Sequence, residues 1–279
     1  MEDGGLHFLE RALEQGLPLA RRRHTWIAVR GLSVRGLASA RPRGQHIAWE
    51  VDYLSAADME EAVGTSLLEE LSRSLGEQSV EKVFLRLDAD SPLLEASHRA
   101  GFFPSCQERL LRMDGPPPRL EAEPAPLSQR TAADAYPLFQ LYNAAVPGTT
   151  RSYQAVTFRE WLAAEEKGRC QQLVLPGEGC LLAWLRLLKS GRGGTFSLLR
   201  HPSDGRALDT LLAAAFDRLV ARQPIFSLVP EYDETLVRRL EELGFTTAGE
   251  YVLLVRRLLR PVEEAVPVRE GAEQPYPVS

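Results

Sequence analysis

An internal repeat constrains the fold of this chain more than any other feature of its sequence. The segments VFLRLDADSPLLEASHRAGF (83–102) and FSLVPEYDETLVRRLEELGF (226–245) align without a gap, at an offset of 143 residues. Each reads as an apolar strand, an acidic turn and a helix with apolar residues at helical spacing. Each ends in Gly-Phe, where the glycine suits a left-handed helix C-cap and the phenylalanine starts another strand. The repeat therefore predicts one α+β unit used twice.

The parallel between the copies continues upstream and suggests the domain boundaries. SLLEELSRSL (66–75) corresponds to TLLAAAFDRL (210–219), and strand-like segments precede both helices. Between the copies, the stretch DGPPPRLEAEPAPLSQ is rich in proline and lacks an apolar period, which is typical of a linker. The predicted organisation is a first domain shortened at its start, a linker, a second domain and an extended or disordered tail: 1–114, 115–128, 129–260 and 261–279.

Composition narrows the class of protein. The chain has 279 residues, 44% of them apolar and 25% charged, which suits two globular domains of ordinary size. The formal net charge is −5 with acids and bases interspersed, so we expect neither nucleic acid nor a membrane as a partner. The widely spaced Cys106, Cys170 and Cys180 fit neither a disulfide framework nor a zinc site. They indicate reduced thiols in a cytoplasm and no metal, while the oligomeric state stays open.

The order of elements in each copy resembles the GCN5-related N-acetyltransferase (GNAT) superfamily. The strongest local match is the acidic turn, helix and Gly-Phe element, which is present in both halves. The resemblance implies two tandem GNAT-like domains, each a mixed, mostly antiparallel sheet flanked by helices. It also implies acetyl-CoA as the acyl donor and an amine of unknown identity as the acceptor.

In that superfamily, a glycine-containing loop between the fourth strand and the following helix contacts the pyrophosphate of the acyl-CoA. The resemblance places this loop at MEEAVG (59–64) in the first half and within RHPSDGRALDT (200–210) in the second. Backbone amides at a helix start can bind such an anion. The cofactor-binding candidates are Ala62, Gly64 and Thr65 in the first half and Gly205, Arg206, Ala207 and Thr210 in the second.

The two loops differ in charge. In the first half, Glu60 and Glu61 stabilise the helix N-terminus themselves and would repel a pyrophosphate. In the second half, Arg200 and Arg206 add positive charge, which Asp209 partly offsets. We therefore expect acetyl-CoA, if it binds, to prefer the second half. A helix start that only caps itself with acids is the alternative in both halves.

Acyl transfer to an amine also needs a base for the incoming ammonium. Glu50 and Asp52 lie two residues apart on a predicted strand, so they are expected to share a face and are candidate bases. The alternative is that they only solvate an exposed sheet face. Trp49, Val51 and Tyr53 alternate with them and should pack in the core.

A proton donor for the leaving thiolate is harder to find. The resemblance implies a tyrosine four residues before the glycine of Gly-Phe, where this chain has Ser97 and Leu240. His98 is one residue away, a rotation of about 100° around the helix, so a surface role is the simpler interpretation. His201 is a candidate catalytic or ligand contact, with a loop position before Pro202 as its alternative. Residues 231–233 follow a strand, where sites often form, although an acid there is also an ordinary helix N-cap.

Two function classes stay open on these residues. The first is an acyl-CoA-dependent N-acyltransferase in which one half is active. The second is a non-catalytic binding or scaffold protein that keeps the duplicated fold without the phosphate-binding glycines and the acid. Aminoacyl transfer from a charged tRNA is a weaker third hypothesis, because the chain is acidic and has no basic stripe studded with aromatic residues.

Overall fold

The computed structural model describes residues 23–121, 126–165, 170–191, 193–203 and 207–258. Several predicted features lie outside these residues: the helix before residue 22, the tail from residue 261, and the candidate residues Gly205 and Arg206. No helix in the described part of the chain is long and apolar enough to cross a membrane.

The described residues form eleven strands and seven α-helices. The strands are β1 (His24–Arg30), β2 (Ser33–Pro42), β3 (Ala48–Ala56), β4 (Lys82–Asp88), β5 (Phe103–Met113), β6 (Ser128–Gln129), β7 (Gln171–Pro176), β8 (Leu181–Ser190), β9 (Gly193–Arg200), β10 (Ile225–Pro230) and β11 (Thr246–Arg257). The helices are α1 (Glu61–Glu77), α2 (Leu93–Arg99), α3 (Ala135–Ala145), α4 (Gly148–Gln154), α5 (Phe158–Ala164), α6 (Ala207–Leu219) and α7 (Glu234–Glu242).

All eleven strands belong to one sheet, in the order β1-β2-β3-β4-β11-β5-β10-β9-β8-β7-β6. The two halves exchange their last strands: β11 pairs with β4, and β5 pairs with β10. The two exchanged strands also pair with each other. Only the pairs β3/β4 and β9/β10 of this sheet are parallel. The structure therefore confirms a mixed, mostly antiparallel α+β fold, and the exchange joins the halves into one continuous sheet.

The helices divide between the two faces of the sheet. On one face, α1 and α2 pack on β2 to β4, and α6 and α7 pack on β7 to β10. On the other face, α3 and α5 cover part of β7, β8 and β9. Residues 115–121 and 126–127 form no helix or strand, in keeping with the predicted linker. The domain boundaries themselves stay a prediction, because the strand exchange crosses them.

The Gly-Phe elements end their helices in the same way in both halves. The Phe102 N–H donates to the Ser97 carbonyl at 3.0 Å, and the Phe245 N–H donates to the Leu240 carbonyl at 3.0 Å. The preceding glycines have φ angles of 76° and 94°, a left-handed conformation that favours glycine. The two segments that repeat in sequence therefore also end their helices with the same backbone hydrogen bond.

The prediction that Tyr53 packs in the core is wrong. Trp49 and Val51 are buried as expected, but Tyr53 is 38% exposed. The pairing of β3 with β2 shifts register between Val51 and Tyr53, so Asp52 occupies a β-bulge. One extra residue reverses the alternation of faces along a strand, and Leu54 then packs toward the core instead of Tyr53.

Candidate functional site

The two parallel strand pairs separate at equivalent points. Pairing of β3 with β4 ends at Val51 and Leu85, and pairing of β9 with β10 ends at Phe196 and Ser227. In each pair both strands continue for several residues without pairing to each other. Each half therefore has a gap at the carboxyl ends of its parallel strands, the place where open sheets commonly bind ligands.

The gap in the first half is flanked by an acid and arginine network. Glu50 and Asp52 do share a side, since Arg41 lies 3.4 Å from the first carboxylate and 3.7 Å from the second. Asp52 also accepts hydrogen bonds at 2.5 Å from Ser39 and Arg23. The side chains of both acids are only 7% exposed. These two candidate bases therefore lie together as expected, but arginines already hold them.

The first-half cofactor candidates lie inside helix α1 and not in a loop. A Cβ at Gly64 would approach Leu93 Cδ2 to 3.1 Å and Ala96 Cβ to 3.2 Å. Thr65 Oγ1 donates to the Ala96 carbonyl at 3.4 Å, whereas Ala62 is exposed. In this structure the missing side chain of Gly64 allows α1 to pack closely on α2.

The acids at the start of α1 have arginine partners that the sequence did not reveal. Arg35 lies 2.8 Å from Glu60, and Arg99 lies 2.7 Å from Glu61. These pairs are partly exposed and weakly stabilising. They reduce the negative charge expected at this helix start, but they also occupy the region in which a pyrophosphate would bind.

The second half has a different arrangement at the end of its gap. Ala207 begins α6 and is buried, and Thr210 is half-buried on its first turn. Arg200, at the end of β9, lies 3.0 Å from Asp233, which follows β10. Asp233 also caps α7 by accepting a hydrogen bond from the Leu236 N–H. An ion pair therefore links the two strand ends, so Arg200 is less available to a phosphate than the sequence suggested.

His201 lies beside this gap and not within it. Its Nδ1 is 2.7 Å from Ser203 Oγ, and its backbone N–H donates to the Leu182 carbonyl at 2.7 Å. Asp209, the acid expected to oppose a pyrophosphate, is 2.9 Å from Arg239 and so is partly neutralised. The structure thus favours the loop interpretation of His201.

A pocket of about 340 Å³ lies where the second gap opens, between the sheet and the helices α3 to α5. Two small hydroxyl residues of β9, Thr195 and Ser197, line it. Counted from the last paired residue of each gap, they correspond to Glu50 and Asp52 in the first half. At these matched positions, the first half therefore has carboxylates that are paired with arginines, whereas the second half has small side chains that line a pocket.

Three weak acids line this pocket: Cys106, Tyr142 and Tyr232. Burial raises the pKa of Cys106 to about 12, so the thiol stays protonated. Burial also raises the pKa of Tyr142, with a nearby Arg151 opposing the shift. Burial of its hydroxyl, next to Cys106 and Tyr142, raises the pKa of Tyr232 although 37% of that residue is exposed. All three groups are therefore neutral hydrogen-bond donors.

The charged wall of the pocket comes from the first half of the chain. Arg86 on β4 lies 2.6 Å from Glu108 on β5 and 3.4 Å from Glu50. Arg43 lies over the ring of Phe84, 4.4 Å from its centroid. The exchange of β5 and β11 brings this wall beside β10, so both halves build the pocket.

Sequence reasoning did not select the tyrosines and the arginine network of this pocket. Tyr142 lies in an apolar helix, where its spacing cannot be told from that of a core aromatic residue. Tyr232 lies in the acidic turn after β10, so the position of residues 231–233 at a strand end was a usable signal. Arg86 and Glu108 belong to strands that meet β11 and β10 only through the exchange.

Known structures share this architecture across most of the chain. A GCN5-related N-acetyltransferase from Sphaerobacter thermophilus is 18% identical, with 83% of each chain covered and a TM-score of 0.50. A tandem GNAT protein from the clavulanic acid biosynthesis pathway is 15% identical, with 90% of this chain and 93% of that chain covered and a TM-score of 0.52. This chain has the GNAT fold.

A third GNAT structure extends the comparison. A GCN5-related N-acetyltransferase from Kribbella flavida is 14% identical, with 91% of this chain and 96% of that chain covered and a TM-score of 0.54. No family model and no curated sequence matches the chain. At these identities the likeness concerns the GNAT fold alone, and the chemistry has to be argued from the pocket.

Proposed function

We propose that the chain is an acyl-CoA-dependent N-acyltransferase whose active site is the pocket at the β9/β10 gap. The acyl donor would be acetyl-CoA or a related thioester, and the acceptor an amine. The three free cysteines suit a reducing compartment, and we propose the cytoplasm as its location.

One observation carries this proposal: the β9/β10 gap opens into a pocket, and the two β9 residues that flank its last paired position, Thr195 and Ser197, have small, uncharged side chains. At the matching positions of the first half, Glu50 and Asp52 are held by arginines. A thioester needs a water-poor space with hydrogen-bond donors, and clamped carboxylates would repel its developing negative charge. We therefore propose that the first half is structural and that the second half binds the donor.

The chain's own groups suit the transfer. Beyond Phe196, β9 has no pairing with β10, so backbone groups on that edge are available to polarise a thioester carbonyl. The helix α6 begins shortly after β9, and its N-terminus suits the pyrophosphate. The amine nitrogen then bonds to the carbonyl carbon, the carbon–sulfur bond breaks, its electron pair leaves with sulfur, and the amine proton passes to water.

The first test is calorimetry with acetyl-CoA, together with release of the free CoA thiol in the presence of a panel of amines. Filling the pocket with Ser197→Phe should abolish thiol release and weaken binding at least tenfold. The matched first-half variant, Asp52→Asn, should leave both unchanged. Circular dichroism would confirm that both variants fold.

The opposite pattern would place the site in the first half. The scaffold alternative predicts that the wild-type chain neither binds acetyl-CoA nor releases thiol with any amine. Binding without release would indicate a protein that has kept the donor site but lost the transfer.

A further inference from the structure

The pocket at the β9/β10 gap is lined mostly by apolar residues, and several of its large side chains are left half-buried. These half-buried side chains are Trp161, Trp184, Leu198, Leu199 and Leu228. Trp184 Nε1 donates to Gln172 Oε1 at 2.9 Å, so the polar edge of that ring already has a partner. Apolar surface that faces a cavity gains free energy when an apolar ligand group removes it from water. The pocket is therefore suited to a ligand with an apolar body.

The charged groups of the pocket do not favour a ligand with several positive charges. Among the described residues, two carboxylates line the pocket and both are paired with arginines. Glu108 lies 2.6 Å from Arg86, and Glu165 accepts a hydrogen bond from Arg130 at 3.0 Å. An ammonium group that leaves water without a carboxylate partner costs free energy. The reacting nitrogen enters the transfer as a neutral amine and avoids this cost, whereas a second ammonium on the acceptor would not.

The position of the pocket assigns it to the acceptor. The helix α6, whose N-terminus suits the pyrophosphate, packs on the same face of the sheet as α7. The pocket lies on the opposite face, between the sheet and α3 to α5. A donor bound at α6 therefore brings its thioester to the pocket through the gap. An acetyl group fills only a small part of 340 Å³, so most of the pocket is left to the acceptor.

We propose that the acceptor is a primary amine with one apolar group, a phenyl ring or a short alkyl chain, and that Trp161 helps to select it. This inference rests on the proposed function and names the acceptor class for the same pocket. Trp161 lies on α5, away from the strands that border the gap, and its ring is stacked with Phe158 at a centroid distance of 6.1 Å. The indole is thus a fixed apolar wall that can contact the body of the acceptor.

The first test measures thiol release with acetyl-CoA and four amines: butylamine, hexylamine, phenethylamine and spermidine. The value of kcat/KM should rise about fourfold for each methylene added between butylamine and hexylamine. Phenethylamine should exceed butylamine at least tenfold, and spermidine should not exceed butylamine. Lengthening the acyl group of the donor from acetyl to hexanoyl should give no comparable rise.

The second test compares Trp161→Gln with Phe158→Gln, a matched control on the same helix. Both residues are half-buried in one aromatic cluster, but only Trp161 lines the pocket. Trp161→Gln should raise the KM of phenethylamine about tenfold, because the acceptor loses an apolar contact. Its kcat and its Kd for acetyl-CoA should stay within about twofold of wild type, since the lost contact serves only to bind the acceptor. Phe158→Gln should lower the melting temperature by a similar amount and leave all three constants unchanged.

The other outcomes overturn the inference in separate ways. Equal kcat/KM values for all four amines, or the highest value with spermidine, would reject the apolar acceptor while the proposed function stands. A rise with the length of the acyl group instead of the amine would place an apolar group of the donor in the pocket. The same increase of KM in both variants would show that Trp161 acts through packing alone. A wild-type chain that releases no thiol with any amine would reject the proposed function itself, and this inference with it.

Discussion

Lys82 on β4 donates hydrogen bonds to two parts of the second half: to the Gln154 carbonyl at 2.7 Å and to Glu160 on α5 at 3.1 Å. The lysine is 5% exposed. Burial lowers its pKa, against the opposing effect of Glu160. The pair therefore connects the helices that cover the pocket to the first half of the sheet. The strength of this connection depends on the charge of Glu160.

This ion pair gives a pH-dependent prediction. Burial alone would raise the pKa of Glu160, but the Val156 N–H and Lys82 outweigh it and hold the pKa below 4.5. A carboxyl group with a lowered pKa stabilises the fold above its unfolded pKa, and this contribution is lost as the pH falls through the folded pKa. Glu160→Gln should therefore lower the free energy of unfolding by about 1 kcal/mol at pH 7 and flatten its decline below about pH 4.5.

Urea denaturation at several pH values would measure this effect. Glu77→Gln is a suitable control, because Glu77 lies on an exposed helix face with a side chain that is 64% exposed. An acid-induced decline as steep in Glu160→Gln as in wild type would show that other carboxylates control it.

The exchange of β5 and β11 predicts that neither half folds alone. Without β11, β4 and β5 lose the strand that lies between them, and β10 would lose β5 in the isolated second half. Unpaired strand edges and exposed core residues would then cause aggregation. Residues 1–114 and 115–279 should each lack a cooperative unfolding transition when produced alone and should form a stable complex when produced together.

Co-expression followed by size-exclusion chromatography and thermal denaturation tests this expectation. A single half that is monomeric and unfolds cooperatively would contradict it, and would show that each last strand can also pair within its own half.

Substitution of Gly64 can distinguish a role in helix packing from a role in phosphate binding. Gly64→Ala forces a Cβ to about 3.1 Å from Leu93. The strain should exceed the gain in helix propensity and destabilise the chain by roughly 1 kcal/mol. Gly76 on the same helix has its nearest neighbour at 4.0 Å, so Gly76→Ala should stabilise by about 0.5–1 kcal/mol. Chemical denaturation measures both changes, and neither should alter the Kd of acetyl-CoA. Weaker binding in Gly64→Ala alone would revive a cofactor role for this helix start.

The repeat made the architecture predictable from the sequence. Strand, acidic turn, helix and Gly-Phe are local features, and each is determined by residues close together in the chain. The alternation of Glu50 and Asp52 likewise predicted that both acids lie on one side. These predictions succeeded because helix caps and strand alternation depend on local backbone preferences.

The pocket depends on pairings that no local pattern encodes. Arg86 meets Glu108 because β5 and β11 are exchanged, and Tyr142 reaches the pocket because α3 packs across β9. The bulge at Asp52, which exposes Tyr53, is also invisible in a regular alternation of residues. Contacts between distant segments decided these features. The sequence therefore predicted that the candidate site lies at the ends of its strands, but not which distant residues line it.

The ion pair between Arg200 and Asp233 gives the last prediction, since it links the ends of β9 and β10 at the proposed donor site. Asp233→Asn removes the negative charge but keeps a residue that can cap α7. The side chains of Arg200 and Asp233 are only 17% and 18% exposed, so Arg200 would be left poorly solvated and would gain from an anionic ligand. Acetyl-CoA should therefore bind several-fold more tightly to Asp233→Asn, with a stronger dependence on salt.

Calorimetry at two salt concentrations measures both the affinity and its salt dependence, and adding Arg200→Gln to the same chain should cancel the gain in affinity. Equal affinity in wild type and Asp233→Asn would indicate that the phosphates of the donor lie away from Arg200.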